Sequence, residues 1–257
     1  MKVVFIGAGN LATHLSIALQ NAGQQIVQVY SKTATSASIL AHKLNVPYTI
    51  DVDELIQDAD IYFYAVSDDA LETLLNMDLA PEAIHVHTAG SISIDIFKGK
   101  KAHHGVFYPL QTFSKTKAVD FNQIPIFLES SDDEVERVLN TLAYAVSKNV
   151  YPINSDQRMK LHLAAVYACN YVNHLYDIAS DLVASIDLPF DVLKPLIRET
   201  ADKINFLSPA DAQTGPAKRN DTNVINKHLE LLDKSSDLSD LYRKLSQMIL
   251  DKNLHQS

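Results

Sequence analysis

Over the first half of the chain, short unbroken apolar runs alternate with amphipathic segments of helical period. The runs at 3–6, 26–30, 48–50, 61–66 and 84–87 have the length and the β-branched and aromatic content of buried strands. Between them, 11–22, 34–44 and 69–76 place apolar residues three and four apart, as helices do. Gly23 is suited to close the first helix, and Asp51 to cap a short one over 51–57. Strands at 105–110 and 124–128, a helix at 132–146 and an edge strand at 150–151 are expected next. Strands alternating with helices predict an α/β fold with a doubly wound, mainly parallel sheet.

Beyond Pro152 only the helical pattern remains, over 155–183, 190–205, 223–232 and 238–250. The predicted organisation is therefore an α/β domain over 1–153 and an all-helical C-terminal domain over 154–257. The last residues, from Lys252, are expected to fray. The loop from 114 to 123 is long enough to act as a lid, or as a plain connection.

Composition narrows the function classes. Of the 257 residues 47% are apolar, which is ample for a core. A formal charge of -9 argues against a nucleic-acid partner, which would need a basic face. Any anionic cofactor must then be held by local devices. Cys169 is the one cysteine, so no internal disulfide forms, and a reducing compartment fits. The first apolar run is too short for a signal peptide, and no window approaches a membrane span. A soluble cytoplasmic protein without a membrane partner is the expectation.

The first strand-helix junction carries Gly7-Ala8-Gly9-Asn10-Leu11-Ala12. Gly7 suits a tight turn, Gly9 lets backbone approach a pyrophosphate, and Ala12 is small enough for close strand-helix packing. The amides at the helix start favour phosphate. This is the fingerprint of a Rossmann-type dinucleotide site, and the strand about 20 residues on is its expected companion. At the end of that strand an acid often grips the ribose of NAD. Here stand Ser31, Lys32 and Thr33, a cation and two hydroxyls that suit the 2′-phosphate of NADP. Val66 and Ser67, then Thr88, Ala89 and Gly90, end later strands at the same sheet edge and are candidate cofactor contacts. Asp68 and Asp69 are better read as dipole-favoured acids at a helix start.

His85, His87, His103 and His104 are candidates by type, but no third ligand accompanies the alternating pair at 85 and 87, so no metal is expected. The segment 159–177 is apolar around most of its circumference and predicts a buried central helix. At about 100° per residue, His162, Asn170, Asn173 and Asp177 fall within a sector of about 80°. Such a stripe faces a ligand cleft, a second subunit or other helices, and Cys169 on the same side suits packing. In 213–221, Gly215-Pro216 marks a turn and Asn220 or Asp221 a helix cap, which leaves Thr214 and Arg219 free to meet an anionic substrate or the facing domain.

The N-terminal half resembles the NADP-binding domains of pyrroline-5-carboxylate reductase and the 6-phosphogluconate dehydrogenase-like superfamily, through G-A-G-N-L-A, Y-S-K-T at 30–33 and A-D-I-Y-F-Y-A-V-S-D-D at 59–69. The whole chain resembles a narrower group that joins this Rossmann domain to a helical domain of unknown function. Its marks are Y-P-L-Q-T-F at 108–113, the helix from His162 to Asn170, and T-G-P-A-K-R-N-D at 214–221. The resemblance implies an NADP-dependent oxidoreductase acting on a small molecule, often a homodimer through the helical domain. Tyr108 stands where related sequences often have His. Lys160 has Ala164 a turn later, so the Lys-Asn pair of the superfamily's hydroxyacid dehydrogenases is absent. As an enzyme, the protein would reduce a carbonyl or imine, with His162 exchanging the proton, Asn170 orienting the substrate, and Thr214 or Thr112 as weaker candidates. The alternative is a non-catalytic NADP-binding sensor or interaction protein.

Overall fold

The computed structural model describes residues 1–77, 79–232 and 236–254. Eight strands form one sheet: β1 (Lys2–Ile6), β2 (Gln25–Tyr30), β3 (Tyr48–Thr49), β4 (Ile61–Tyr64), β5 (Ile84–His87), β6 (His104–Pro109), β7 (Ile126–Ser130) and β8 (Val150–Pro152). Their order is β3-β2-β1-β4-β5-β6-β7-β8, and only the β6–β7 pair is antiparallel. The doubly wound, mainly parallel sheet expected from the alternation is thus what forms. The chain leaves β1 first towards β2 and later returns on its other side as β4, so a switch point opens at the carboxyl ends of β1 and β4.

Helices α1 (Asn10–Asn21), α2 (Ala34–Leu44), α3 (Asp68–Leu75) and α4 (Asp133–Val146) cover the sheet. Val3 and Phe5 face one apolar cluster with Leu15, Leu19 and Leu139, while Val4 and Ile6 face the other with Tyr62, Leu71 and Phe97. Alternate residues of one central strand thus bury on opposite faces, which is why β1 is apolar throughout. Asp132 caps α4 through the amides of Glu134 and Val135. The helix expected over 51–57 is only a 3-10 turn, Val52–Glu54, with Asp51 accepting from the amide of Asp53.

After β8 every element is helical: α5 (Ser155–Ala165), α6 (Tyr171–Ala184), α7 (Lys194–Lys203), α8 (Pro209–Ala212), α9 (Thr222–Leu231) and α10 (Ser236–Leu254). The single helix expected over 155–183 is interrupted by a π segment, Val166–Asn170. Over 190–205 a 3-10 turn precedes α7, whose first turn holds a proline that can supply no backbone donor. The chain divides into two compact units, Met1–Leu175 and Tyr176–Ser257, so the division falls inside α6, later than the change of structural class at 152–155. None of the described helices is long and apolar enough to cross a membrane.

One expectation reverses. The pattern over 159–177 predicts a buried helix, yet Met159, Leu163, Tyr167, Tyr171 and Leu175, each four residues from the last, are all exposed. Within α5 the buried residue is Arg158. The inward face is polar, and the apolar stripe finds no cover among the described residues. In the second unit, Ala217 and Ser239 are the buried residues among those described, while Ile186, Leu196, Phe206 and Leu231 stand open.

Candidate active site

The fingerprint turn is built by contact. Gly7 has φ +116°, and a Cβ on it would lie 2.2 Å from the carbonyl oxygen of Ala65 after β4. Its amide donates to Tyr30 O at the end of β2 (2.8 Å). A side chain there would push apart the two loops that flank the switch point. Gly9 instead faces open space. Helical bonding in α1 begins with the Thr13 amide donating to Gly9 O (3.0 Å), so the first-turn amides of 10–12 have no helical acceptor. A cavity of about 780 Å³ lies in front of them. Gly7, Ala8, Gly9, Asn10 and Leu11 form one wall, Tyr30, Ser31 and Lys32 a second, and Val66, Ser67, Thr88 and Ala89 the others. A dinucleotide fits this chemistry, with amides at its centre, a cation and a hydroxyl at one end and a backbone loop at the other.

Three expected cofactor residues are not among the residues that line this cavity. Ala12 is fully buried beneath the turn and serves packing. Thr33 occupies the N-cap position of α2, with no capping bond from its side chain. Gly90 lies against Tyr108 and His162. The Asn10 side chain is engaged, donating to Phe113 O (2.9 Å), and His14 Nε2 bonds Ser114 O (2.8 Å). These bonds tether the start of the 114–123 loop to α1.

Beyond the last lining residue, Ala89, the chain continues to Gly90, which meets Tyr108 and His162. A Cβ on Gly90 would lie 2.6 Å from His162 Nδ1 and 2.9 Å from the Tyr108 ring, so only a glycine admits both. Tyr108 Oη and His162 Nδ1 are 3.0 Å apart. Burial pushes the Tyr108 hydroxyl above its ordinary pKa, opposed by the positive charge of Arg158. Arg158, one turn before His162, is fully buried and pairs with Glu129 of β7, also donating to Ile92 O and to Ser155 Oγ (3.2 Å). Glu129 in turn accepts from the Ser155 amide (2.9 Å). An Asn154–Gln157 capping box completes the start of α5. These contacts fasten the helix that carries His162 to the sheet.

His87 supports the same loop, its Nδ1 accepting from the Ala89 amide (3.2 Å). Burial, with Arg158 nearby, pushes His87 down to about 3 and keeps it neutral. Burial likewise takes His85 to about 4, and its Nδ1 meets Tyr64 Oη at 3.1 Å. Asn170 closes the π segment and is exposed. Thr214 is exposed in the second unit. Asp68 starts α3, as expected, and its carboxylate accepts from Ser91 Oγ. Tyr108, Arg158 and Glu129 join the site without having been candidates for it from the sequence. Arg158 had one signal, its four-residue spacing from His162 on a common helix face.

Residues 2–97 match the family described as NADP oxidoreductase, coenzyme F420-dependent, and residues 124–249 match a domain of unknown function, DUF2520. The chain is 47% identical to a "putative NADP oxidoreductase" of Bacteroides fragilis, over 97% of this chain and 98% of that one, with a TM-score of 0.94. The chain belongs to this NADP oxidoreductase family. The oxidoreductase also shares its fold with 1-pyrroline-5-carboxylate reductase of Streptococcus pyogenes (14% identity, 98% of each chain, TM-score 0.64). An imine reductase of Myxococcus stipitatus, solved in complex with NADP+, is similar in the same sense (16% identity, 98% of this chain and 92% of that one, TM-score 0.63). No curated protein matches.

Proposed function

We propose that this oxidoreductase binds NADP(H) along the carboxyl edge of the sheet and transfers a hydride between it and a small carbonyl or imine substrate. The observation that carries this is the single cavity running from Ser31 and Lys32, past the start of α1, to Thr88 and Ala89. Bound there, NADPH would supply the hydride. Lys32, with Ser31 and Thr33, would hold the 2′-phosphate, and the amides of 10–12 the pyrophosphate. Thr88, Ala89 and Gly90 would border the nicotinamide. His162 would exchange the proton, while Asn170 and Thr214 are the candidates for orienting the substrate. The exposed stripe on α5 and α6 and the sparse core of the second unit support a homodimer formed through the helical region.

Calorimetric titration with NADPH and NADH tests the cofactor. The wild type is expected to bind NADPH at least about tenfold more tightly, since one charge-assisted bond contributes about 1.5–3 kcal/mol. Lys32→Ala is expected to remove most of that preference and to leave NADH binding unchanged. Equal affinities in the wild type would refute the role of Lys32, and binding of neither would refute the cofactor site.

A further inference from the structure

The contact between Tyr108 and His162 fixes where the hydrogens lie. The Tyr108 side chain is buried, and His162 Nδ1 is the acceptor its hydroxyl meets among the described residues. If Nδ1 carried a hydrogen and donated, the part-buried hydroxyl hydrogen would have no acceptor among the described residues, which costs about 1–3 kcal/mol where the group is shielded from water. The hydroxyl therefore donates and Nδ1 accepts. A neutral imidazole that accepts at Nδ1 carries its hydrogen at Nε2. Nε2 makes no hydrogen bond to the described residues, and the ring is half-buried, so this N–H is the one left for a ligand. Gly90 pins the arrangement, because its missing Cβ is what lets both rings reach the loop after β5.

We propose that Tyr108 and His162 form a proton relay matched to a carbonyl substrate, with His162 Nε2–H meeting the carbonyl oxygen and Tyr108 refilling Nδ1. This deepens the oxidoreductase reading above and rests on it. When the hydride and its electron pair reach the carbonyl carbon, the C=O π bond breaks and the oxygen is left as an alkoxide. The Nε2 proton passes to that oxygen as Nδ1 takes the proton of Tyr108. The products are an alcohol, a neutral His162 in its other tautomer and a Tyr108 phenolate, which water later reprotonates. An alkoxide is about as basic as hydroxide and far more basic than a phenolate, so the transfer runs downhill even though burial makes Tyr108 a weak acid. The buried Arg158 guanidinium, whose charge is felt at Tyr108, favours the phenolate.

An imine makes the opposite demand. Its nitrogen is protonated before hydride arrives, which calls for a group acidic near neutral pH. With the Tyr108 hydroxyl donating to Nδ1, His162 has one N–H, at Nε2, and could take a second proton only by giving up that bond, so the pair as arranged is not such a group. Within the substrate range of the proposed function, the pair therefore selects ketones and aldehydes.

The first test needs neither substrate nor cofactor. In protein labelled with ring-15N histidine, and with the signal assigned by His162→Gln, NMR is expected to show His162 protonated at Nε2 and hydrogen-bonded at Nδ1. Tyr108→Phe keeps the ring packing on Gly90 and should remove the hydrogen-bond shift at Nδ1. Protonation at Nδ1 in the wild type, or no change in Tyr108→Phe, would overturn the relay. The second test follows NADPH oxidation with panels of ketones, aldehydes and cyclic imines. Carbonyls are expected to turn over at least about tenfold faster than imines, and Tyr108→Phe to lower kcat by about tenfold or more with KM nearly unchanged. Faster imine reduction, or turnover of neither panel, overturns the substrate class. Failure of NADPH to bind in calorimetry would strike the cofactor reading instead, and the hydrogen-bond state of the pair seen by NMR would stand apart from it.

Discussion

The unit Met1–Leu175 and the unit Tyr176–Ser257 meet the same requirement in opposite ways. The first buries most of its apolar residues within itself, in clusters on both faces of one sheet, and at its helical end leaves open the stripe from Met159 to Leu175. The second has helices whose apolar positions are just as periodic, yet Leu196 is 64% exposed, Phe206 87% and Leu231 82%. Periodicity reports which residues require burial; it does not report whether the same chain supplies the cover. A sheet covered by its own crossover helices closes its core locally, whereas single helices need partners from elsewhere. Soluble monomers rarely leave such a surface open, so the contrast itself favours a second copy as the cover.

The largest predicted effect breaks that contrast directly. The wild type is expected to sediment as a dimer. Leu196→Asp combined with Tyr167→Asp should raise the dimer Kd by about 1,000-fold or more, equivalent to about 4 kcal/mol lost at the interface. NADPH affinity should hold in the dissociated protein, because the cavity proposed for the cofactor lies within the first unit. A monomeric wild type whose second unit resists hydrogen exchange would refute the dimer.

A pH titration sharpens the comparison from the side of the sheet. His85 and His87, both fully buried, are held neutral, pushed by burial to about 4 and about 3. Above the unfolded value of about 6.5 neither state binds a proton at these sites, and their contribution is flat. Below it the unfolded chain takes up protons that the folded chain refuses, so stability falls with pH until the folded values are reached. The expected slope is about 1 kcal/mol per pH unit for each histidine between about pH 6 and 4. Chemical denaturation across that window should show a shallower slope in His85→Gln with His87→Gln than in the wild type, whatever the absolute loss of stability. Parallel slopes would show that these histidines titrate alike in both states.

Much of the first unit was legible because its signals are local. Gly7 to Ala12, the strand that follows and Lys32 lie within one βαβ stretch, and their spacing carries the turn, the free first-turn amides and the lysine together. The contact between Tyr108 and His162 was only half legible. His162 stood out as a polar residue on an apolar helix, but its partner Tyr108 is 54 positions away and reaches it only through the register of β6 and the seating of α5. Arg158 looks like a surface residue at a helix start, and only the fold brings Glu129 of β7 against it. The reversed face of 159–177 has the same origin. Arg158 and His162 supply the inward contacts, so the apolar stripe is left to face outward.

The smallest predicted effect compares like with like. Each region has an aspartate capping a helix: Asp132 before α4, with bonds of 2.9 and 3.0 Å, and Asp221 before α9, with a bond of 3.2 Å to the Val224 amide. Replacing either by alanine is expected to cost about 1 kcal/mol. For Asp132 that cost should not depend on protein concentration, because α4 is buried on its own sheet. The amides of Val135 and Glu134, with Ser131 and His103, hold the Asp132 carboxyl at about 2, so its contribution should be full above the ordinary carboxylate value and be lost as pH falls from there through about 2. For Asp221→Ala the thermal shift should grow as the protein is diluted, since folding of the second unit would be linked to association. If both variants lose the same increment at every concentration, the second unit stands on its own contacts and its open apolar face must be explained without a second copy.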